Sequence, residues 1–282
     1  MGLNFEQLNQ SKYIGANGDY EGSNLVLIGC PLDVTSSFRS GSKFAPESIR
    51  KASWTLETYS PYLKGDLGVL KIFDAGNIPL IPSDLNTSFD LIEGQASDFF
   101  KDSKKVLFLG GEHLITYPVA KALKKNFKTF QIIHFDAHWD MRDSYEGMQF
   151  CHATVMKRIK DLGITKIFHV GIRSGTEEEF KNSRIIDSPQ RLKEELDFSI
   201  PVYITFDMDV IDPSLVPGVS TPEPDGLMFG EVMEYFISIA GVDVVGADVV
   251  ELAPDYDWTF VSSICAAKVV REIMILMHKR EY

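Results

Sequence analysis

The sequence predicts an α/β fold, a doubly wound and mostly parallel sheet with helices on both faces. Three observations predict it. Apolar runs of strand length recur along the 282 residues. Several of them lack the polar–apolar alternation of a half-exposed sheet, as parallel strands covered on both faces do. Longer amphipathic stretches separate them, and strand–helix alternation builds parallel sheets. No repeat, low-complexity tract or long linker interrupts this pattern. A barrel of alternating strands and helices, or two smaller domains, are the alternative arrangements.

In chain order, residues 25–29 (LVLIG) read as the first strand. Ala45-Pro46-Glu47 opens a helix, with proline and an acid in its first turn, where the missing N–H costs nothing and the helix dipole favours negative charge. Strands follow at 106–109 (VLFL), 130–136 (FQIIHFD), 167–171 (IFHVG), 202–207 (VYITFD) and 244–249 (VVGADV). Between and after them lie helices at 116–125, 150–162, 229–240 and 262–279. The last carries an apolar stripe at helical spacing, as a core-facing terminal helix does.

Hydrophobic residues at 44% and charged residues at 24% describe a soluble chain with ample core material. No run reaches the roughly 18 apolar residues of a membrane span, and MGLNFEQLNQ has neither the basic nor the apolar region of a signal peptide. Three cysteines without a CxxC pair suit free thiols and a cytoplasmic location. A net charge of −12 argues against nucleic acid as a partner.

Polar clusters sit where four strands end. VLFLGGEHL brings Glu112 and His113, FQIIHFDAHWD brings Asp136, His138 and Asp140, VYITFDMDVIDP brings Asp207 and Asp209, and VVGADVVELAPDYD brings Asp248 and Glu251. Ligands of open α/β sheets collect beyond the carboxyl ends of strands. In an extended chain residues i, i+2 and i+4 share a side, so Asp136, His138 and Asp140 can converge, as can Asp207 and Asp209. Any one cluster alone reads as an acidic turn. Together, carboxylates at close range repel unless neutralised, and divalent cations need deprotonated acids and neutral imidazoles. Four carboxylates and two histidines without a thiolate form an oxygen-rich set that suits Mn²⁺ better than Zn²⁺, with Fe²⁺, Co²⁺ and Ni²⁺ as alternatives. Six ligands exceed one open catalytic site, which points to two ions. His134 shares a strand side with Asp136 and is either its support or an ordinary strand histidine. His169 reads as structural, His278 as exposed, and Cys151 as a packed thiol.

Taken together, GGEH, HFDAHWD, TFDMDVIDP and VVELAPDYD resemble the ureohydrolase family of arginases and agmatinases, in order and spacing. GCPLDVTSSFRSGSKFAPESIR, GIRSG and PGVSTPEPDG bring the likeness closest to the bacterial agmatinase branch. The resemblance implies an arginase-like three-layer α/β/α sandwich forming one domain over residues 1–282, assembled as a homo-trimer or homo-hexamer. It also implies two Mn²⁺ ions, with His113 and Asp140 on one, His138 and Asp209 on the other, and Asp136 and Asp207 bridging. His152 matches the family's proton-shuttle histidine and Glu251 the acid that holds the guanidinium. Glu112 stands where many members have Asp, Trp139 where Thr is common, Ala153 where Gly often occurs, and Asp225 where Gly is frequent.

The chemistry implied is hydrolysis of a guanidinium to urea and an amine. Two metals lower the pKa of bound water from ~15.7 to ~7, so a bridging hydroxide can attack. Asp140 would take the proton released, and His152 would protonate the leaving amine. For the distal end of the substrate, Asp143 and Glu146 in MRDSYEGMQFC suit the ammonium of agmatine, whereas Arg142 suits a guanidino acid. The expectation is agmatine hydrolysis to putrescine in polyamine biosynthesis. Guanidinobutyrase, arginase and formimidoylglutamase are the enzymatic alternatives, and an inactive metal-bound polyamine-sensing or assembly subunit is the alternative of another class.

Overall fold

The computed structural model of the chain describes residues 12–182 and 184–278. The first ten residues and Lys279, on which two of the expectations above fall, lie outside them. The strands are β1 (Leu25–Cys30), β2 (Tyr59–Ser60), β3 (Gly65–Asp66), β4 (Ile72–Asn77), β5 (Lys105–Gly110), β6 (Gln131–Phe135), β7 (Ile167–Val170), β8 (Ile185–Ile186), β9 (Val202–Asp207) and β10 (Val244–Val250). The helices are α1 (Ala45–Ser53), α2 (Leu85–Lys101), α3 (Thr116–Asn126), α4 (Val155–Asp161), α5 (Glu177–Asn182), α6 (Pro189–Glu195), α7 (Phe229–Ser238) and α8 (Val261–Met277).

All strands except the small β2–β3 hairpin join one sheet, in the order β4-β1-β5-β10-β9-β6-β7-β8. Every pairing in it is parallel. The sheet is open, with β4 and β8 as edges, so it is not a barrel. Its strands lack alternation because both faces are covered. Leu25 and Leu27 of β1 point into an apolar layer shared with α1, α6, α7 and α8. Val26 and Ile28 point into a second layer, shared with α2, α3 and α4. The result is a three-layer α/β/α sandwich. Among the described residues no helix is long and apolar enough to cross a membrane.

The six expected strands form close to their expected limits. The sequence reading passed over β4, whose run IFDAGN contains a buried aspartate. Asp74 is tolerated there because Arg50 of α1 reaches it with two nitrogens, each 2.9 Å from a carboxylate oxygen, both side chains being buried. The pair ties the first helix to the sheet edge. Also passed over was α2, capped by Asp84, whose Oδ1 accepts from Thr87 N at 3.1 Å. Its mid-helix Gly94 and scattered polar residues blur the periodicity. The expected 150–162 helix begins later, with a 3-10 turn at His152–Thr154 followed by α4.

Two glycines give opposite expectations. A Cβ on Gly111 would lie 1.8 Å from the carbonyl oxygen of Leu32, backbone against backbone. Gly94 is exposed in α2 with open space around its missing Cβ. Gly111→Ala should therefore destabilise the fold by about 1–3 kcal/mol, and Gly94→Ala should stabilise it by about 0.5–1 kcal/mol. Urea titration of the two variants beside the parent chain checks both signs.

Candidate metal centre

The inner strands β5, β10, β9 and β6 are parallel neighbours, so the loops that follow them emerge side by side. His113 begins a 3-10 turn after β5, and Asp136, His138 and Asp140 follow β6. Asp207 ends β9, Asp209 lies in the next turn, and Glu251 follows β10. This arrangement converges the ligating atoms. His113 Nδ1 lies 3.1 Å from Asp136 Oδ2, 3.2 Å from Asp140 Oδ2 and 3.3 Å from Asp207 Oδ2. His138 Nδ1 lies 3.0 Å from Asp209 Oδ2 and 3.5 Å from Asp136 Oδ1. The two groups share Asp136, one oxygen towards each imidazole. Backbone amides brace the acids: Ala137 N donates to Asp209 Oδ1 at 3.0 Å, and Asp209 N to Asp207 Oδ1 at 2.9 Å.

The orientation of His113 is set from behind. Thr205 Oγ1 donates to Asp248 Oδ1 at 2.6 Å, which commits its only proton. It can then only accept from His113 Nε2–H, 2.9 Å away. Thr116 and Tyr203 also donate to Asp248, so this buried acid is anchored on three hydroxyls. The lone pair of His113 Nδ1 is thereby turned towards the three carboxylates. That nitrogen is buried without a hydrogen-bond partner. A buried acceptor facing acceptors requires positive charge between them, and this observation makes the donor set fit for a divalent cation.

The electrostatics agree. Burial alone would lower the His113 imidazole, but Asp136, Asp140 and Asp207 hold it well above the usual histidine range. His138 is likewise opposed by burial, yet pushed up to about 12 by Asp209 and Asp136. Burial and then Asp209 and Asp136 raise Asp207 well above the usual carboxylate range. Without a cation, protons occupy the place of one. His134 braces the centre: its Nε2 is 2.8 Å from Asp136 Oδ2 and its Nδ1 is 2.8 Å from His169 Nδ1. Although close enough to be counted with the first donor group, His134 has both nitrogens engaged, so we regard it as support rather than ligand. His169, expected to be structural, is the other half of that pair, and burial followed by His134 lowers it well below the usual range.

A cavity of about 200 Å³ opens over the donors. Glu251 and His152 line it, as do Ser37, Trp139, Arg142 and Tyr145. Glu251 is buried, accepts from His113 N at 2.5 Å, and is pushed up to about 7, chiefly by burial. Asp143 and Glu146, expected at the distal end of the substrate, do not line this cavity. Asp143 points to solvent beside Lys157 and Arg158, and Glu146 is exposed. Glu179 lines it instead, an acid the sequence reading missed because it also caps α5, accepting from Thr176 N at 2.7 Å. Arg173 of GIRSG was missed as well. Its guanidinium donates to the carbonyls of Asp209 and Glu223 at 2.7 and 2.6 Å, clamping the PEPDG loop to the ligand turn. Cys151 is a buried free thiol against Thr154.

The comparisons with known proteins agree with this architecture. The arginase family model matches residues 23–276. The chain is 40% identical to a Bacillus cereus protein named agmatinase, over 97% of this chain and 99% of that one. It is 38% identical to a Bacillus subtilis agmatinase, with the same coverage. The solved structure of agmatine ureohydrolase from Thermoplasma volcanium superposes with a TM-score of 0.87 at 36% identity, covering 97% of this chain and 98% of that one. A match of this extent, on a sheet that carries its converged acids and imidazoles at the strand ends, makes the chain a member of the arginase family of ureohydrolases.

Proposed function

We propose that the chain hydrolyses the guanidinium of agmatine to putrescine and urea with two Mn²⁺ ions. The observation that carries the reaction type is the buried, unpartnered Nδ1 of His113 facing three carboxylates, beside a second group that shares Asp136. The relatives named agmatinase support the substrate. His113 and Asp140 would hold one ion, His138 and Asp209 the other, with Asp136 and Asp207 between them. Polyamine biosynthesis and assembly as a homo-trimer or homo-hexamer rest on the family resemblance alone, and a cytoplasmic location is supported by the three free thiols.

When bound, such a metal pair brings the pKa of a bound water down to ~7 and so supplies a nucleophile at neutral pH. The residues of the chain do the rest. Glu251 accepts N–H donors of the guanidinium and fixes its plane, each charge-assisted bond contributing about 1.5–3 kcal/mol. Asp140 accepts the proton released on attack. His152, at the cavity wall, returns a proton to the leaving amine. Outside the donor groups and Glu251, the acid on the cavity wall is Glu179 and the fixed cation is Arg142. Glu179 would attract the distal ammonium of agmatine. Arg142, stacked on Tyr145 at 4.7 Å, favours the competing reading, a guanidino acid such as 4-guanidinobutanoate.

Three outcomes are expected. With Mn²⁺ added, agmatine should release urea with a kcat/KM about 100-fold above arginine or 4-guanidinobutanoate, and formiminoglutamate should release no formamide; absence of urea from agmatine sinks the assignment. His152→Ala should lower kcat by about 10²–10⁴-fold while elemental analysis finds unchanged metal content. Metal binding should displace protons held on His113 and His138, so Mn²⁺ affinity should weaken as pH falls. Calorimetry in two buffers of different ionisation heat reads that proton release directly.

A further inference from the structure

We infer that Thr35 is a positioning residue for His152, relaying the hydrogen-bond demand of Glu112 to the imidazole. The inference rests on the reading of His152 as proton donor and adds to it a group that touches neither substrate nor metal. Thr35 lies in the loop after β1, and this loop is pinned to the GGEH turn: Gly111 N donates to Cys30 O at 2.9 Å, and Glu112 N to Leu32 O at 2.8 Å. Asp33 closes the same loop, accepting from Ser36 Oγ at 2.7 Å and Gly41 N at 2.6 Å. Thr35 is therefore held where it stands, nearly fully buried against Glu112, which is wholly buried.

Three donors converge on one oxygen of Glu112. Thr35 N and Thr35 Oγ1 each lie 2.8 Å from Oε2, and Val34 N lies 3.3 Å away. The single proton of the Thr35 hydroxyl is thus committed to Glu112, leaving its oxygen with lone pairs only. His152 meets that oxygen twice, with its backbone N–H at 3.1 Å and its Nδ1 at 3.3 Å. An oxygen that can only accept selects the imidazole form carrying hydrogen on Nδ1. Nε2 is then the ring nitrogen left to exchange protons in the cavity, where Ser37 Oγ lies 3.4 Å from it. A neutral His152 with the opposite tautomer would set a lone pair against the lone pairs of Thr35. Glu112 stands where Asp is common in the family, and here it is its Oε2 that meets Thr35.

The test is a double-mutant cycle on the Mn²⁺-loaded enzyme with agmatine, plus ring nitrogen NMR of histidine-labelled, metal-free protein. Thr35→Val keeps the shape and removes the acceptor; Thr35→Ser keeps the acceptor. Thr35→Val should lower kcat about 10–100-fold with KM and metal content unchanged, and Thr35→Ser should stay within about 3-fold of the parent. In a His152→Ala background Thr35→Val should cost nothing further. The His152 ring, identified by its loss in His152→Ala, should show hydrogen on Nδ1 in the parent and lose that preference in Thr35→Val. An unchanged kcat in Thr35→Val while His152→Ala is impaired overturns the inference, as does an equal loss in both backgrounds. If His152→Ala retains full activity, the proton-donor reading fails. The NMR then decides the relay independently, because hydrogen on Nε2 in the parent overturns it.

Discussion

The structure depends on one unfavourable circumstance, the meeting of several carboxylates in a water-poor crevice. Asp136, Asp140, Asp207 and Asp209 come from two different strand ends and are all nearly or fully buried. Such an arrangement survives only on a frame that cannot relax away from it. The frame here is the centre of an eight-stranded parallel sheet, where β9 and β6 are hydrogen-bonded neighbours and both faces are sealed by helices. Backbone amides offset part of the charge, imidazoles another part, and the remainder selects a cation. The sheet edges carry none of this burden. At β4 an acid is instead neutralised internally by Arg50.

One small device occurs twice. Asp248, Thr205 and His113 form a carboxylate–hydroxyl–imidazole series, and so do Glu112, Thr35 and His152. In each the acid captures the hydroxyl proton, and the hydroxyl oxygen dictates which ring nitrogen bears hydrogen. The outcomes are opposite because the rings present opposite nitrogens. His113 is held at Nε2 and turns Nδ1 to the carboxylates, whereas His152 is held at Nδ1 and leaves Nε2 to the cavity beside Ser37. A hydroxyl between acid and ring keeps that acid's negative charge one hydrogen bond further away than direct contact would, so Asp248 and Glu112 orient the rings without pairing with them directly.

The parts of this legible in the sequence were those whose information is local. DAHWD and FDMD put donors two residues apart directly after apolar strands, which made the clusters visible, although their convergence is set past the strand ends, with Asp140 at positive φ and Asp209 in a 3-10 turn. Strands such as LVLIG were legible because burial on both faces leaves no polar residue to confuse them. The missed β4 and α2 each contain residues, Asp74 and Gly94, whose acceptability is decided by distant or absent neighbours. Asp143 and Glu146 were expected in the cavity on charge alone, but charge does not say which way a loop residue points. Asp143 turns out to Lys157, and Glu179, thirty-six residues further on, turns in. Thr35 and Thr205 were invisible because threonine is at home in loops and strands for ordinary reasons.

Asp140 and Glu251 share a further property: both are non-glycine residues in the left-handed backbone region, with φ of 53° and 63°. Each costs of order 1–3 kcal/mol relative to a relaxed residue. Glycine at either position would relieve that strain, and at Asp140 it would also remove a charge from the crowded centre. At Glu251 that relief is opposed, because its carboxylate accepts from the buried His113 N–H, which glycine would leave without a partner. At both positions the chemistry of the side chain and the comfort of the backbone disagree, since an acid is held at a φ that glycine would take without strain.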